Sequence, residues 1–252
     1  MLQALLWDVD GTLAETERDG HLVAFNQAFS ELAVPWRWDD AQYARLLRVA
    51  GGRERLLHDM RGREQAPESE PERIALAERI HRRKNQIYAG IVGAGRVPLR
   101  PGVLPLFEDC ARQGVRMGIA TTTTEANVEA LMSGHLGSAW RSRFATVVCA
   151  EQAPLKKPDP QVYRRALQEL ALEPEAALAI EDSPAGVQAA RAAGVAVIVA
   201  RSVYFGEATL QGASAVGPSL AQLAGWRPEA GPAASGRIEL GQLQRWMQRR
   251  DG

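Results

Sequence analysis

Cysteine is scarce: Cys110 and Cys149 are the only two in 252 residues, far apart and outside any CxxC spacing. That excludes a disulfide framework and a cysteine-built zinc site, and it fits a reducing compartment. Net charge is lacking too, since 30 Lys and Arg balance 30 Asp and Glu. No overall field recruits nucleic acid or a membrane surface, and neither is expected as a partner. No apolar run reaches membrane-spanning length. No basic stretch leads into an apolar segment at the N-terminus, so no signal peptide is read there. With 46% apolar and 24% charged residues, the chain has what a sizeable core needs. The expectation is a soluble, cytoplasmic, monomeric protein.

Five residues near the start, Asp8-Val9-Asp10-Gly11-Thr12, organise the rest. The apolar stretch before them, residues 2–7, is too short for a stable helix and predicts a buried strand. Two carboxylates at the end of such a strand stand at its C-terminal edge, where open α/β sheets hold ligands. Gly11 permits a sharp turn, and Thr12 offers a hydroxyl. A lone DxD is common in loops, so its meaning depends on what joins it.

From Thr12 to about residue 95 the pattern is helical. Leu22, Phe25, Phe29 and Leu32 recur at helical spacing, and Asp39-Asp40 can cap a second helix carrying Tyr43, Leu46 and Leu47. Gly51-Gly52 breaks that helix, a third runs toward Met60, and 62–71 predicts a polar surface loop. Ile74, Ala77, Ile80, Ile87, Tyr88 and Ile91 trace one face of a long helix. From Val97 onward strands alternate with helices: strands over 115–120, 146–149, 177–180 and 195–200, helices after Gly102, around 127–132, and over 159–170 and 185–193. This alternation predicts an α/β fold, a doubly wound Rossmann-like parallel sheet. The expected domains are an α/β core of residues 1–15 and 96–225 and an inserted all-helical cap of 16–95. A tail of 226–252 would be a linker with a short helix carrying Leu240, Leu243, Trp246 and Met247.

Four predicted strand ends carry polar residues that would meet at one rim. Asp8 and Asp10 are the first. The second is Thr121-Thr122-Thr123, hydroxyls and N–H groups that suit an anion, or equally a helix cap. Lys156-Lys157-Pro158-Asp159-Pro160 is the third, with an ammonium able to neutralise a phosphoryl oxygen; its plain alternative is a solvated helix start. Glu181-Asp182-Ser183 is the fourth. Paired carboxylates ending a buried strand are costly without a cation or partner, and Asp8 with Asp182 and a carbonyl would suit magnesium.

In this order, DVDGT, the Thr run, KKPDP and EDSPAG resemble the four motifs of the haloacid dehalogenase superfamily, over nearly the whole chain to about residue 225. Its phosphotransferases carry the second aspartate, which the dehalogenases proper lack. The resemblance implies a Mg2+-dependent phosphoric monoester hydrolase working through an aspartyl-phosphate. Asp8 would be the nucleophile and Asp10 the general acid/base, protonated by the proximity of Asp8. Thr122, Thr121 and Lys157 would bind the transferring phosphoryl group. Asp8, Asp182, the backbone of Asp10 and, less directly, Glu181 would hold magnesium. The helical insertion looks like the small cap of this branch.

The cap segments 14–21, Tyr43 and Gly51-Gly52-Arg53-Glu54-Arg55 look like the CbbY-type group, which includes phosphatases of xylulose 1,5-bisphosphate. That likeness implies that Glu17 and His21 touch sugar hydroxyls or phosphate, while Gly52 lies in a turn where Tyr43, Arg53 and Arg55 grip a distal phosphate. Taken singly, a histidine or an arginine pair is more often structural or solvated. The partner expected is a small phosphorylated sugar, converted from xylulose 1,5-bisphosphate to xylulose 5-phosphate. A β-phosphoglucomutase-like mutase, a broad sugar-phosphate phosphatase and a non-catalytic phosphosugar sensor are the alternatives.

Overall fold

The structure, a computed structural model, describes residues 1–248. The last four residues of the expected tail, 249–252, lie outside the described residues. Strands β1 (Ala4–Trp7), β2 (Arg116–Ala120), β3 (Thr146–Val148), β4 (Ala177–Glu181), β5 (Ala196–Ala200) and β6 (Ala215–Gly217) form one parallel sheet in the order β3-β2-β1-β4-β5-β6. The chain winds outward from β1 in both directions, which leaves a crevice at the C-terminal edge of the central strands.

Because both faces of the sheet are covered, its strands are apolar throughout rather than alternating. Leu5, Trp7, Ile119, Leu178, Ile180 and Ile198 pack with α5 (Val103–Gln113) and the rest of the larger core. Ala4, Leu6, Ala179, Val197 and Val199 face the other way. They pack beneath helices Gln161–Leu170 and Pro184–Ala192. Register fixes what meets at the rim. Trp7 pairs with Ile119 on one side and Ile180 on the other, so the next residues, Asp8, Ala120 and Glu181, stand level.

Between β1 and α5 the chain makes a helical cap. A π-helical turn over Glu17–Leu22 runs into α1 (Val23–Glu31), followed by α2 (Asp40–Leu46), α3 (Gly52–Met60) and α4 (Glu70–Gly93). Asp39 caps α2 by accepting the Gln42 N–H at 2.7 Å. Helices α1 and α4 pack together, and α4 also leans on the core helix α6 (Glu125–Leu136). The two crossings into and out of the cap run side by side, with Ala14 bridged to Leu99 and the Arg100 N–H donated to the Leu13 carbonyl at 2.7 Å.

Three differences from the pattern-based expectations have physical causes. The loop expected to run to Pro71 ends at Ser69, whose side chain caps α4; Pro71 sits in the first turn, where its missing N–H costs nothing. Strand β6 went unread because three residues, Ala-Val-Gly, carry too little period to register. The tail is packed rather than linker-like. Trp226, Ala230 and Ile238 are buried in the larger core, and the Trp226 ring stacks on Trp246 of the last helix at 4.7 Å. Gly and Pro counts suggested flexibility that two tryptophans override. Among the described residues no helix is long and apolar enough to cross a membrane.

Candidate active site

Helices α7 (Gln161–Leu170) and α8 (Pro184–Ala192), with α6, place polar N-terminal turns around the strand ends. Asp8 is 7% exposed and lies against the Lys157 ammonium, Nζ to Oδ1 2.7 Å. That ammonium also donates to Glu181 Oε1 at 2.6 Å and to the Ala120 carbonyl at 3.0 Å, which fills its three donor positions. Tyr163 donates its hydroxyl to the same Glu181 oxygen. The Lys157-Pro158 peptide is cis. Of the two adjacent lysines it is Lys157 that enters the site; Lys156 reaches Glu54 in the cap, 3.0 Å away.

Asp8, Glu181 and Asp182 form a buried carboxylate cluster with an oxygen from each within 4.8 Å of the others. Gly11, at φ +86°, lets the DxD turn pass directly over Asp182, where a Cβ would collide with the carboxylate. Burial holds the Asp8 carboxyl up at about 7, against the pull of Lys157 and with the help of Glu181 and Asp10. Asp182 is pushed well above the carboxylate range by burial and by the charges of Asp8 and Glu181. Three carboxylates with too little positive charge between them are a donor set for a hard cation.

Asp10 is aimed elsewhere. Its Oδ1 accepts the Thr16 hydroxyl at 2.6 Å and lies 3.2 Å from His21 Nε2. Burial would raise this carboxyl, but His21, Thr16 and Lys84 outweigh it and hold it down at about 2. The expectation that Asp8 keeps Asp10 protonated is therefore reversed: the cap stabilises Asp10 as the anion. Its carboxylate stands outside the cluster of Asp8, Glu181 and Asp182.

On the cap side His21 is 5% exposed, stacked on Tyr88 at 4.0 Å, with Nδ1 2.7 Å from the ammonium of Lys84. An ammonium can only donate, so Nδ1 accepts and the ring proton sits on Nε2, directed at Asp10. Burial and the neighbouring Lys84 lower the pKa of His21. Glu17 is forked to Arg55, with Nη2 to Oε1 3.2 Å, and accepts the Tyr43 hydroxyl at 2.5 Å. Arg55 also donates to the Val49 carbonyl at 2.9 Å. Two adjoining cavities of about 340 Å³ each share Asp10, Glu17, Gly51, Arg55 and Thr122 in their walls. One continues past Asp8, Lys157 and Asp182; the other continues past His21, Gly52, Arg53 and Lys84.

The model of haloacid dehalogenase-like hydrolases matches residues 2–194. The plasmid CbbY protein of Cupriavidus necator is 44% identical over 246 residues, covering 97% of this chain and 96% of that one. A crystal structure of CbbY from Rhodobacter sphaeroides with phosphate superposes with a TM-score of 0.83 at 37% identity, covering 97% of this chain and 100% of that chain. This chain is a haloacid dehalogenase-like hydrolase of the CbbY family. A second structure of the Rhodobacter protein, an aspartate-to-asparagine variant holding xylulose 1,5-bisphosphate, gives a TM-score of 0.81 at the same 37%, over 94% of this chain and 100% of that one.

As a CbbY-family phosphatase, the chain brings almost every residue singled out from sequence to one cleft. Thr122 faces both cavities, whereas Thr121 is buried with its hydroxyl accepting the Thr123 N–H. Tyr43 is buried behind Glu17 rather than exposed to the cleft. Arg53 is half exposed at the rim, its guanidinium between Glu54 and Glu78. Lys84 and Arg100 were missed. Arg100 donates to the carbonyls of Ala200 at 2.9 Å, Arg201 at 2.5 Å and Gly11, tying the DxD turn to the end of β5.

Proposed function

We propose that this CbbY-family phosphatase hydrolyses a sugar bisphosphate, xylulose 1,5-bisphosphate to xylulose 5-phosphate, with Asp8 as nucleophile and magnesium as cofactor. The observation that carries the reading is the pairing of Asp8 with Lys157 beside a charge-deficient carboxylate cluster, under a cap that lines the cleft with Glu17, His21 and Arg55. The xylulose 1,5-bisphosphate bound by the Rhodobacter relative supports the substrate.

Asp8, Asp182 and the main-chain carbonyl of Asp10 would hold magnesium, with Glu181 behind them fixing Lys157. When bound, the cation supplies positive charge that screens an anionic phosphate from a carboxylate nucleophile. Lys157 adds its ammonium on the same side, and Thr122 with the N–H groups opening α6 receives the phosphoryl oxygens. Asp8 attacks phosphorus in line and forms the aspartyl-phosphate as the ester oxygen leaves. Asp10 serves both halves of the reaction. A phosphate dianion arriving beside Asp10 raises its pKa by like-charge repulsion, and the proton it takes up passes to the leaving oxygen. The carboxylate left behind is the form that Thr16 and His21 already stabilise, ready to draw a proton from water attacking the aspartyl-phosphate.

The test is phosphate release from xylulose 1,5-bisphosphate, ribulose 1,5-bisphosphate and a panel of monophosphates, with magnesium and with chelator. A strong magnesium-dependent preference for the first is expected. Weak and even activity over the panel would remove the bisphosphate reading and leave the phosphatase chemistry standing.

A further inference from the structure

Two consecutive lysines open the third strand-end motif, and they serve different parts of the molecule. Lys157 turns inward to Asp8 and Glu181. Lys156 turns outward and crosses to the cap, where its Nζ lies 3.0 Å from Oε2 of Glu54 on α3. The pair stands at the mouth of the cleft, with side chains 32% and 39% exposed. It passes directly over the turn that starts α3. Gly51 there has φ +99°, and a Cβ on it would run into both Lys156 Nζ and Glu54 Oε2. The residue after Glu54 is Arg55, whose N–H is donated to the Gly51 carbonyl at 2.9 Å and whose guanidinium grips Glu17. One ion pair thus joins the loop that carries Lys157 to the turn that carries Arg55.

We propose that Lys156 and Glu54 form a latch that fastens the cap over the cleft, making Lys156 a positioning residue for the closed enzyme. The Gly51 notch is the seat that lets the two side chains meet across the mouth. A second tie also joins core and cap: the Tyr204 hydroxyl, one residue before the cavity-lining Phe205, donates to Asp40 of the cap at 2.9 Å. The latch pair is the one coupled to the catalytic loop, since Lys156 and Lys157 share a peptide bond. Closure under this pair brings Arg55 and Lys157 to their working separation before chemistry.

The proposal rests on the bisphosphatase reading only for the choice of substrate, and its test has a readout that needs no substrate. Lys156→Ala, Glu54→Ala, Lys156→Glu and the reversed pair Lys156→Glu/Glu54→Lys are compared with the parent. The first measure is hydrogen exchange of residues 51–58 in the magnesium-loaded protein. The second is kcat/KM for xylulose 1,5-bisphosphate. Each single variant is expected to speed exchange over 51–58 and to lower kcat/KM about fivefold, the size suited to a partly exposed ion pair. The reversed pair should restore both to within about twofold of the parent, because the attraction is recovered with its sign exchanged. Raising the salt concentration should shrink the gap between parent and Ala variants. Unchanged exchange in the single variants would overturn the latch. So would a reversed pair as impaired as Lys156→Glu alone, or a Glu54→Ala that raises kcat/KM, since Lys156 would then be holding substrate itself. Should Lys156→Glu fail to fold, Lys156→Gln supplies the uncharged comparison. Loss of all bisphosphatase activity in the parent, with exchange behaving as expected, would strike the substrate reading and leave the latch intact.

Discussion

Asp8 and Asp10 stand two residues apart and are driven in opposite directions. Burial raises Asp8 to about 7, from an ordinary 3.8, while His21, Thr16 and Lys84 overcome burial and bring Asp10 to about 2. Between about pH 4 and 7 the metal-free folded protein holds a proton on Asp8 that the unfolded chain has released. Stability contributed by Asp8 is therefore present below that window and is lost as pH rises through it. Asp10 works the other way: its contribution is present above 3.8 and is lost as pH falls toward 2. Thermal unfolding of the chelated parent and of Asp8→Asn should thus diverge between about pH 4 and 7, the parent losing stability relative to the variant as pH rises. The same variant should abolish phosphate release yet stay folded. Residual turnover in Asp8→Asn would remove it as nucleophile.

That a lysine of the KKPDP motif meets Asp8 was legible in sequence, but the residues left Lys156 and Lys157 open; the resemblance pointed to Lys157, and the structure turns it inward. The charge assignment within the DxD was not, since it depends on cap residues that arrive from 11 and 74 positions further along. Lys84 is instructive. It sits four residues after Ile80 and four before Tyr88, squarely on the apolar stripe of α4, and is 4% exposed. A lysine on a buried stripe was the available signal, hidden in the basic run His81-Arg82-Arg83-Lys84. Burial brings its ammonium down to about 8, against the pull of Glu17 and Asp10. Arg55 shows the converse, a residue found for one reason that also has another. Its guanidinium is 11% exposed and fully engaged by Glu17, Tyr43 and Val49. Removing it strands a buried carboxylate, so Arg55→Ala should cost about 3 kcal/mol in urea unfolding besides weakening bisphosphate turnover. A loss below about 1 kcal/mol would show that Glu17 is rehydrated without it.

At the scale of elements, sequence pattern and structure agree where apolar runs are long and punctuated. Strands β1, β2, β4 and β5 carry four or five consecutive buried residues each, and α5 closes at Gly114. Short β6 and the start of α4 escaped, because one has too few residues for a period and the other begins in a polar, proline-bearing stretch. From sequence the turn before α3 is a helix break beside two arginines. In the structure it has a stricter requirement. Gly51 at φ +99° and ψ 136° adopts a conformation that L-residues avoid, and its missing side chain makes room for Lys156 and Glu54. Gly51→Ala should therefore lose about 1–3 kcal/mol from backbone strain. It should also reproduce the fast exchange of the latch variants over 51–58. A fold as stable as the parent, with ordinary exchange, would mean that the turn relaxes and the notch is dispensable.

Over the whole molecule, cap and sheet share one continuous apolar cluster that runs from Phe25 and Trp38 through Trp7 to Trp226 and Trp246. The compositional break after Gly225 is thus no boundary of packing. Trp226 packs closely on β6, where a Cβ on Gly217 would meet its ring, and Trp246 of α9 (Leu240–Gln248) stacks on that ring. Arg237 pins the intervening segment to Asp109 of α5 at 2.8 Å. The segment closes the edge of the sheet far along the strand order from Asp8, so it acts on stability and not on chemistry. Trp246→Ala should cost about 3–5 kcal/mol in denaturant unfolding, as expected for a large aromatic removed from a packed core. With the remaining folded protein, kcat for phosphate release should stay within about twofold of the parent, since no group at the cleft moves. A large fall in kcat at full folding would instead tie the tail to the active site through β5, the strand whose end Arg100 joins to Gly11.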